Sequence, residues 1–210
     1  MGGYMTLSAG NIFASDLKKY KPPYEPRYVF LFSGHMIDAP DRKSPRFPAD
    51  KESAAARAVA VKLDELGAGP ADIALCGGAC GGDLLFAEAC LARGIHMQIR
   101  IPFDEPTFLK KSVTFAGGNW LDRYYAVKIS KLTAFFVMPE ELGPTPENVD
   151  PYERNNRWLL HTALSMGAEK VKFICLWDGK KVKKRGGTQH MYEEVEKQSG
   201  HAYIIDTNKL

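Results

Sequence analysis

Four of the six residues Gly77-Gly78-Ala79-Cys80-Gly81-Gly82 are glycine, and Asp83 follows where a helical pattern begins. Glycines between a strand and a helix allow positive φ and let a ligand approach the main chain. The N–H groups freed at the helix start, with the helix dipole behind them, attract an anion such as phosphate. The turn matches neither standard nucleotide fingerprint: G-x-G-x-x-G fails because position 79 is alanine, and no Lys-Ser/Thr pair follows to make a Walker loop. Gly77, Gly78, Ala79, Gly81, Gly82 and Asp83 are candidate ligand contacts. A tight turn with Asp83 as its cap is the plain alternative.

Two further turns offer similar chemistry. Ser33-Gly34-His35 leaves the first apolar run, where Ser33 and His35 could bond a phosphate or sugar beside the Gly34 amide. Gly186-Gly187-Thr188 opens the last helix and suits a second phosphate or sugar contact, or else a loop with Thr188 as N-cap. The run Lys180-Lys181-Val182-Lys183-Lys184-Arg185 adds positive potential nearby or is simply solvated. Arg154, Asn155, Asn156 and Arg157 lie just inside a helix. Some of them must point at the strand ends, where Arg suits phosphate and Asn a base edge or sugar hydroxyl. Arg46 is a further phosphate candidate, and Trp177 could stack on a base or pack in the rim. The weak catalytic candidates are Glu140, Glu141 and Glu153, any of which could serve as nucleophile or base on a ribosyl carbon. Cys80 sits near a helix start but has no neighbouring His, and reads as a spacer.

These turns need a scaffold, and the chain alternates strand and helix. The short continuous apolar run at 28–32 suits a strand covered on both faces, and further strands are expected at 72–76, 96–101, 133–138, 171–176 and 203–206. Helical patterns fall at about 51–66, 83–93, from 104 for a short stretch, 120–129, from 151 and from 186 to about 198. Asp150-Pro151-Tyr152-Glu153 has the form of a capping box, with Glu153 as the returning carboxylate. The pattern implies a three-layer, Rossmann-like α/β fold: a parallel sheet with helices on both faces. Residues 1–27 read as an arm or linker and 28–210 as a single domain. Ligands in such folds sit outside the carboxyl ends of the strands.

Composition narrows the function classes. With 210 residues, 45% hydrophobic and a net charge of +3, this is an ordinary globular chain, too weakly basic to argue for nucleic acid. No apolar run spans a bilayer and no signal peptide is evident, so a cytoplasmic location without a membrane partner is the expectation. Met1-Gly2-Gly3-Tyr4-Met5-Thr6 formally matches a myristoylation signal, but a plain start explains it as well. The four cysteines read as small core residues of a reduced compartment. Cys76 and Cys80 lack a second ligand pair at zinc spacing, so no metal is expected and no cofactor is required.

Three segments together resemble the SLOG superfamily, which includes the Lonely Guy cytokinin-activating enzymes and the DNA-processing protein A (Smf) family. They are Val29-Phe30-Leu31-Phe32-Ser33-Gly34-His35; Cys76 through Glu88; and Arg154-Asn155-Asn156-Arg157-Trp158 with Leu176-Trp177-Asp178-Gly179 and Gly186-Gly187-Thr188. The likeness runs from about residue 28 to 206, and is greatest to SLOG domains set beside repeat or signalling domains in larger bacterial proteins. It implies a Rossmann-like fold that binds nucleotides or their derivatives. Arg154-Asn155 and Asn156-Arg157 both fit the Arg-Asn element. The Lonely Guy element P-G-G-x-G-T-x-x-E is incomplete: Gly186-Gly187-Thr188 lacks its Pro, and Glu193 and Glu194 come later than its catalytic Glu.

Three functional readings follow. The first is a LOG-like ligand sensor in signalling, binding a small nucleotide-type molecule. The second is an N-glycoside hydrolase or deoxyribosyltransferase-like enzyme acting on nucleoside monophosphates. The third is a nucleic-acid or protein interaction module using residues 180–185, which the modest charge disfavours for nucleic acid. A homo-oligomer, or a place within a larger multidomain protein, stays open.

Overall fold

The computed structural model describes residues 24–180, 186–198 and 202–210. Among these, six strands form one parallel sheet: β1 (Val29–Gly34), β2 (Ile73–Cys76), β3 (His96–Ile101), β4 (Thr133–Val137), β5 (Val171–Trp177) and β6 (Ala202–Asp206). The spatial order is β4-β3-β2-β1-β5-β6. The helices are α1 (Glu52–Glu65), α2 (Gly82–Leu91), α3 (Glu105–Ser112), α4 (Trp120–Lys128), α5 (Met138–Leu142), α6 (Pro151–Leu164) and α7 (Thr188–Gln198). This is the three-layer Rossmann-like α/β architecture that the alternation implies.

The period of two along each strand builds the two cores. Phe30, Phe32, Ala74, Cys76, Met97 and Ile99 face α1, α2 and α4. Val29, Leu31, Ile73, Leu75, Phe173 and Cys175 face the other way, against Leu159, Leu160 and Ala163 of α6 and Met191 and Val195 of α7. Both faces are covered, which is why β1 is apolar without a break from Val29 to Phe32. Residues 24–27, assigned to the arm, are tied to the domain: the Tyr24 hydroxyl donates to the Asp72 carbonyl, and Arg27 donates to the buried Asp72 carboxylate through Nε and Nη2. The myristoylation-like start lies outside the described residues.

Two local differences bear on the site. β1 runs two residues past its apolar stretch, because Ser33 and Gly34 keep register with Cys175 and Leu176 of β5. β4 stops at Val137, and Met138 opens α5. Pro139 has no N–H for the ladder and a φ suited to a first helical turn, so the chain coils there.

The chain lays β1 to β4 outward in one direction, then returns to place β5 and β6 on the other side of β1. The switch point is the crevice between the carboxyl ends of β1 and β5, where open α/β sheets hold their ligands.

Candidate functional site

A cavity of about 230 Å³ opens at this switch point. Ser33, Gly34 and His35 line it from the end of β1, Gly77, Ala79 and Asp83 from the turn after β2, and Trp177, Asp178 and Lys180 from the end of β5. Arg46 reaches it from the loop before α1, Lys111 and Ser112 from the end of α3, and Tyr152, Asn155 and Asn156 from the first turns of α6. Gly186, Gly187 and Thr188 close it at the start of α7. Turns far apart in the chain thus share one wall, because parallel strands bring all their carboxyl ends to one edge.

The glycine turn after β2 is mostly a packing device. Gly81 has φ of 88°, and a Cβ there would lie 2.4 Å from the Ile37 amide nitrogen. A Cβ on Gly82 would sit 3.0 Å from the Gly34 Cα, and the Gly82 N–H donates to the His35 carbonyl at 3.0 Å. A Cβ on Gly78 would meet Ile99 at 2.8 Å. Gly78, Gly81 and Gly82 do not line the cavity; they let α2 start hard against the exit of β1.

Asp83 is not the N-cap of α2, a position Gly81 holds. It lies in the first turn, and its carboxylate folds back over the glycine turn. The Ala79 N–H donates to Asp83 Oδ2 at 3.3 Å, and the Gly34 and Gly77 amides also favour its charge. A Cβ on Gly77 would lie 2.9 Å from the same oxygen. The amides that suggested a phosphate cradle therefore face the protein's own carboxylate. Burial is the larger influence and pushes the Asp83 pKa up to about 7.

His35 and Asp178 form a buried pair across β1 and β5, with Nε2 to Oδ1 at 3.0 Å. Burial pushes the His35 pKa down and outweighs the bond to Asp178. Burial would raise Asp178, but the bonds from His35 and the Lys180 amide prevail and hold its carboxyl below the usual range. Burial thus favours a neutral His35 imidazole beside the Asp178 carboxylate, and its Nε2 also lies 3.3 Å from the Asp178 amide nitrogen, which donates to it. Asp38 Oδ2 accepts the Arg46 and Phe47 amides at 2.7 and 2.8 Å, which fixes the loop and turns Arg46 toward the cavity. Asn155 donates to the Arg100 carbonyl at 2.9 Å, and Asn156 to the Gly187 carbonyl at 3.0 Å, tying α6 to β3 and to the start of α7. The Ser112 and Tyr152 hydroxyls are 3.1 Å apart.

Other candidates face elsewhere. Arg154 donates to the Leu142 and Gly143 carbonyls and braces the turn after α5, while Arg157 pairs with Glu194 at 3.6 Å. Of the two ways to read the Arg-Asn element, neither Arg reaches the cavity and both Asn residues do. Glu140 and Glu141 lie in α5 and Glu153 on α6, and none of the three lines the cavity. Asp150 caps α6 by accepting the Tyr152 and Glu153 amides. Trp177 lines the cavity and packs at 5.3 Å from the Tyr192 ring. The buried Cys80 thiol is pushed up to about 12 by desolvation, which suits a spacer. Residues 181–185 of the basic run lie outside the described residues.

Among the cavity residues not proposed from the sequence as ligand contacts are Asp178, Lys111, Ser112 and Tyr152. Asp178 had a usable signal, a carboxylate directly after a strand at the sheet's functional edge. The other three come from α3 and α6, whose packing over the sheet has no local signature. Among the described residues no helix is long and apolar enough to cross a membrane.

No family model matches the chain, and no curated protein matches it. Among solved structures it is similar to the X-ray structure of DNA processing protein A (DprA) from Streptococcus pneumoniae, at 13% identity and a TM-score of 0.39. That match covers 96% of this chain and 62% of the other, so the chain spans less than two thirds of that protein's length.

Proposed function

We propose that this chain binds a nucleotide or nucleotide-derived ligand at the β1–β5 crevice, as a sensor domain of SLOG type. One observation carries the reading. The cavity at the switch point is lined by the cations Arg46, Lys111 and Lys180 and by the first residues of α7. Cations and a helix start around a concave site suit a phosphorylated ligand. A volume of about 230 Å³ lies just below the usual range for small-molecule sites, which suits a mononucleotide or smaller ligand. Melting-temperature shifts across mononucleotides, cyclic nucleotides and ADP-ribose-type ligands test it. A ligand at ~100 times its dissociation constant adds ~2.7 kcal/mol. A flat response across the panel overturns the reading.

A second reading, hydrolysis of a nucleoside monophosphate's N-glycosidic bond, is favoured by Asp83. A buried carboxylate with a pKa of about 7 in a ligand cavity suits a general acid, which Glu140, Glu141 and Glu153 would not reach. Water would be consumed, and free base and ribose 5-phosphate released. Chromatography of nucleotide incubations decides: release of base that is lost in Asp83→Asn supports hydrolysis, and intact nucleotide leaves the sensor reading alone.

A further inference from the structure

Resting on the nucleotide reading above, we infer that the glycine turn takes the ligand's sugar hydroxyls rather than its phosphate, and that Asp83 selects a ribose carrying both its 2′- and 3′-hydroxyls. The two sides of the cavity differ in chemistry. On the β2–β3 side the Asp83 carboxylate already occupies the anion position above Gly77 and Ala79. A phosphate there would compete with that carboxyl for the same amides, and in a poorly solvated corner charge on either group disfavours charge on the other. On this side α6 contributes Asn155, which lines the cavity and is tied to β3. It is only 4% exposed, and its Oδ1 is buried without a hydrogen-bond partner while its Nδ2 is spent on the Arg100 carbonyl. Two acceptors call for ligand donors, and a phosphate dianion has none, whereas a vicinal diol has two. Lys111, the cation on this side, stands 4.6 Å over the Phe103 ring.

The β1–β5 side is the reverse. Arg46 and Lys180 stand there beside Gly187 and Thr188 at the start of α7. Asp178 is the carboxylate on that side; its Oδ1 is met by His35 and by the Lys180 amide, its Oδ2 is buried without a hydrogen-bond partner, and its charge is offset by those of Lys180 and Arg46. The start of α6 between the two sides is met by Asp150, so it offers no free anion site. A ribonucleotide laid across the cavity would thus put its diol toward Asp83 and its phosphate toward Lys180.

Calorimetric titration of the whole chain tests this with AMP, GMP, CMP and UMP and their 2′-deoxy and 2′,3′-dideoxy forms. The best ribonucleotide should bind at least about tenfold more tightly than its dideoxy form, the usual scale for a lost hydrogen bond to a charged group. Asp83→Asn should cut that ratio severalfold, while Lys180→Ala should weaken both forms alike. Equal binding of ribo and dideoxy forms by the unmodified chain overturns the inference and leaves the nucleotide reading standing. Binding of none of them overturns both. An unchanged ratio in Asp83→Asn removes Asp83 as the selector. If that variant does not fold, the ratio measured on the unmodified chain decides.

Discussion

The two glycine-rich turns of the cavity look alike in sequence and differ in what they offer. In Gly77–Asp83 the glycines are pressed against Ile37, Gly34 and Ile99, and an aspartate covers the amides. In Gly186–Thr188 a Cβ on Gly186 would lie 2.7 Å from the Tyr152 Cβ, but one on Gly187 would meet nothing within 4 Å, and Gly187 lines the cavity with Lys180. The first is a packed joint carrying a buried carboxyl that titrates at about 7, and the second is packed at Gly186 and open at Gly187, just before a helix start. Glycine in a strand-to-helix turn thus records close approach, and only the neighbours show whether backbone or ligand does the approaching.

The largest effect that would break this comparison is the pH dependence of Asp83. Its pKa rises from 3.8 to about 7 on folding, through burial above all. A raised carboxylate pKa adds stability that is fully present below the unfolded value and is lost as pH rises through the folded one. Between pH 4 and pH 7 the chain should therefore lose up to about 4 kcal/mol from this group. Urea denaturation of Asp83→Asn against the unmodified chain should show their difference moving toward the variant over that window. A constant difference would mean that Asp83 is solvated.

Next come the glycines themselves. Gly81→Ala combines a left-handed backbone with a backbone clash and should cost about 3 kcal/mol. Gly187→Ala meets only the backbone strain and should cost about 1 kcal/mol. Equal losses in chemical denaturation would erase the distinction between the two turns. Lys180→Ala, at an exposed position, should leave stability unchanged and weaken nucleotide binding roughly fivefold, about the worth of one exposed charge contact. The smallest effect belongs to Glu140→Gln, Glu141→Gln and Glu153→Gln together. Binding should change by less than about twofold, since none lines the cavity. A large loss would move the site toward α5.

Most of the fold was legible because its central strands are buried on both faces, which leaves apolar runs such as 28–32 and 173–176. The boundary at Val137 was misplaced because Met138 is apolar and fully buried while belonging to a helix, and hydrophobicity alone does not separate the two. In the site, Ser33, His35, Gly77, Gly187 and Thr188 could be found because strand exits in a parallel sheet share one edge. Arg154 and Arg157 could not be sorted from Asn155 and Asn156, since four consecutive helical residues point four ways and the packing of α6 chooses among them.

Local pattern alone determined the alternation of strands and helices, and with it the parallel sheet and the edge where function should lie. Those follow from periodicity and turn chemistry, which act over a few residues. Tertiary structure alone decided that Asp83 turns back over its own glycine turn, and that His35 meets Asp178 across 143 positions of chain. It also decided that Lys111, Ser112 and Tyr152 complete the wall. The direction of a side chain at a helix start depends on which elements pack beside it, and no short stretch of sequence carries that.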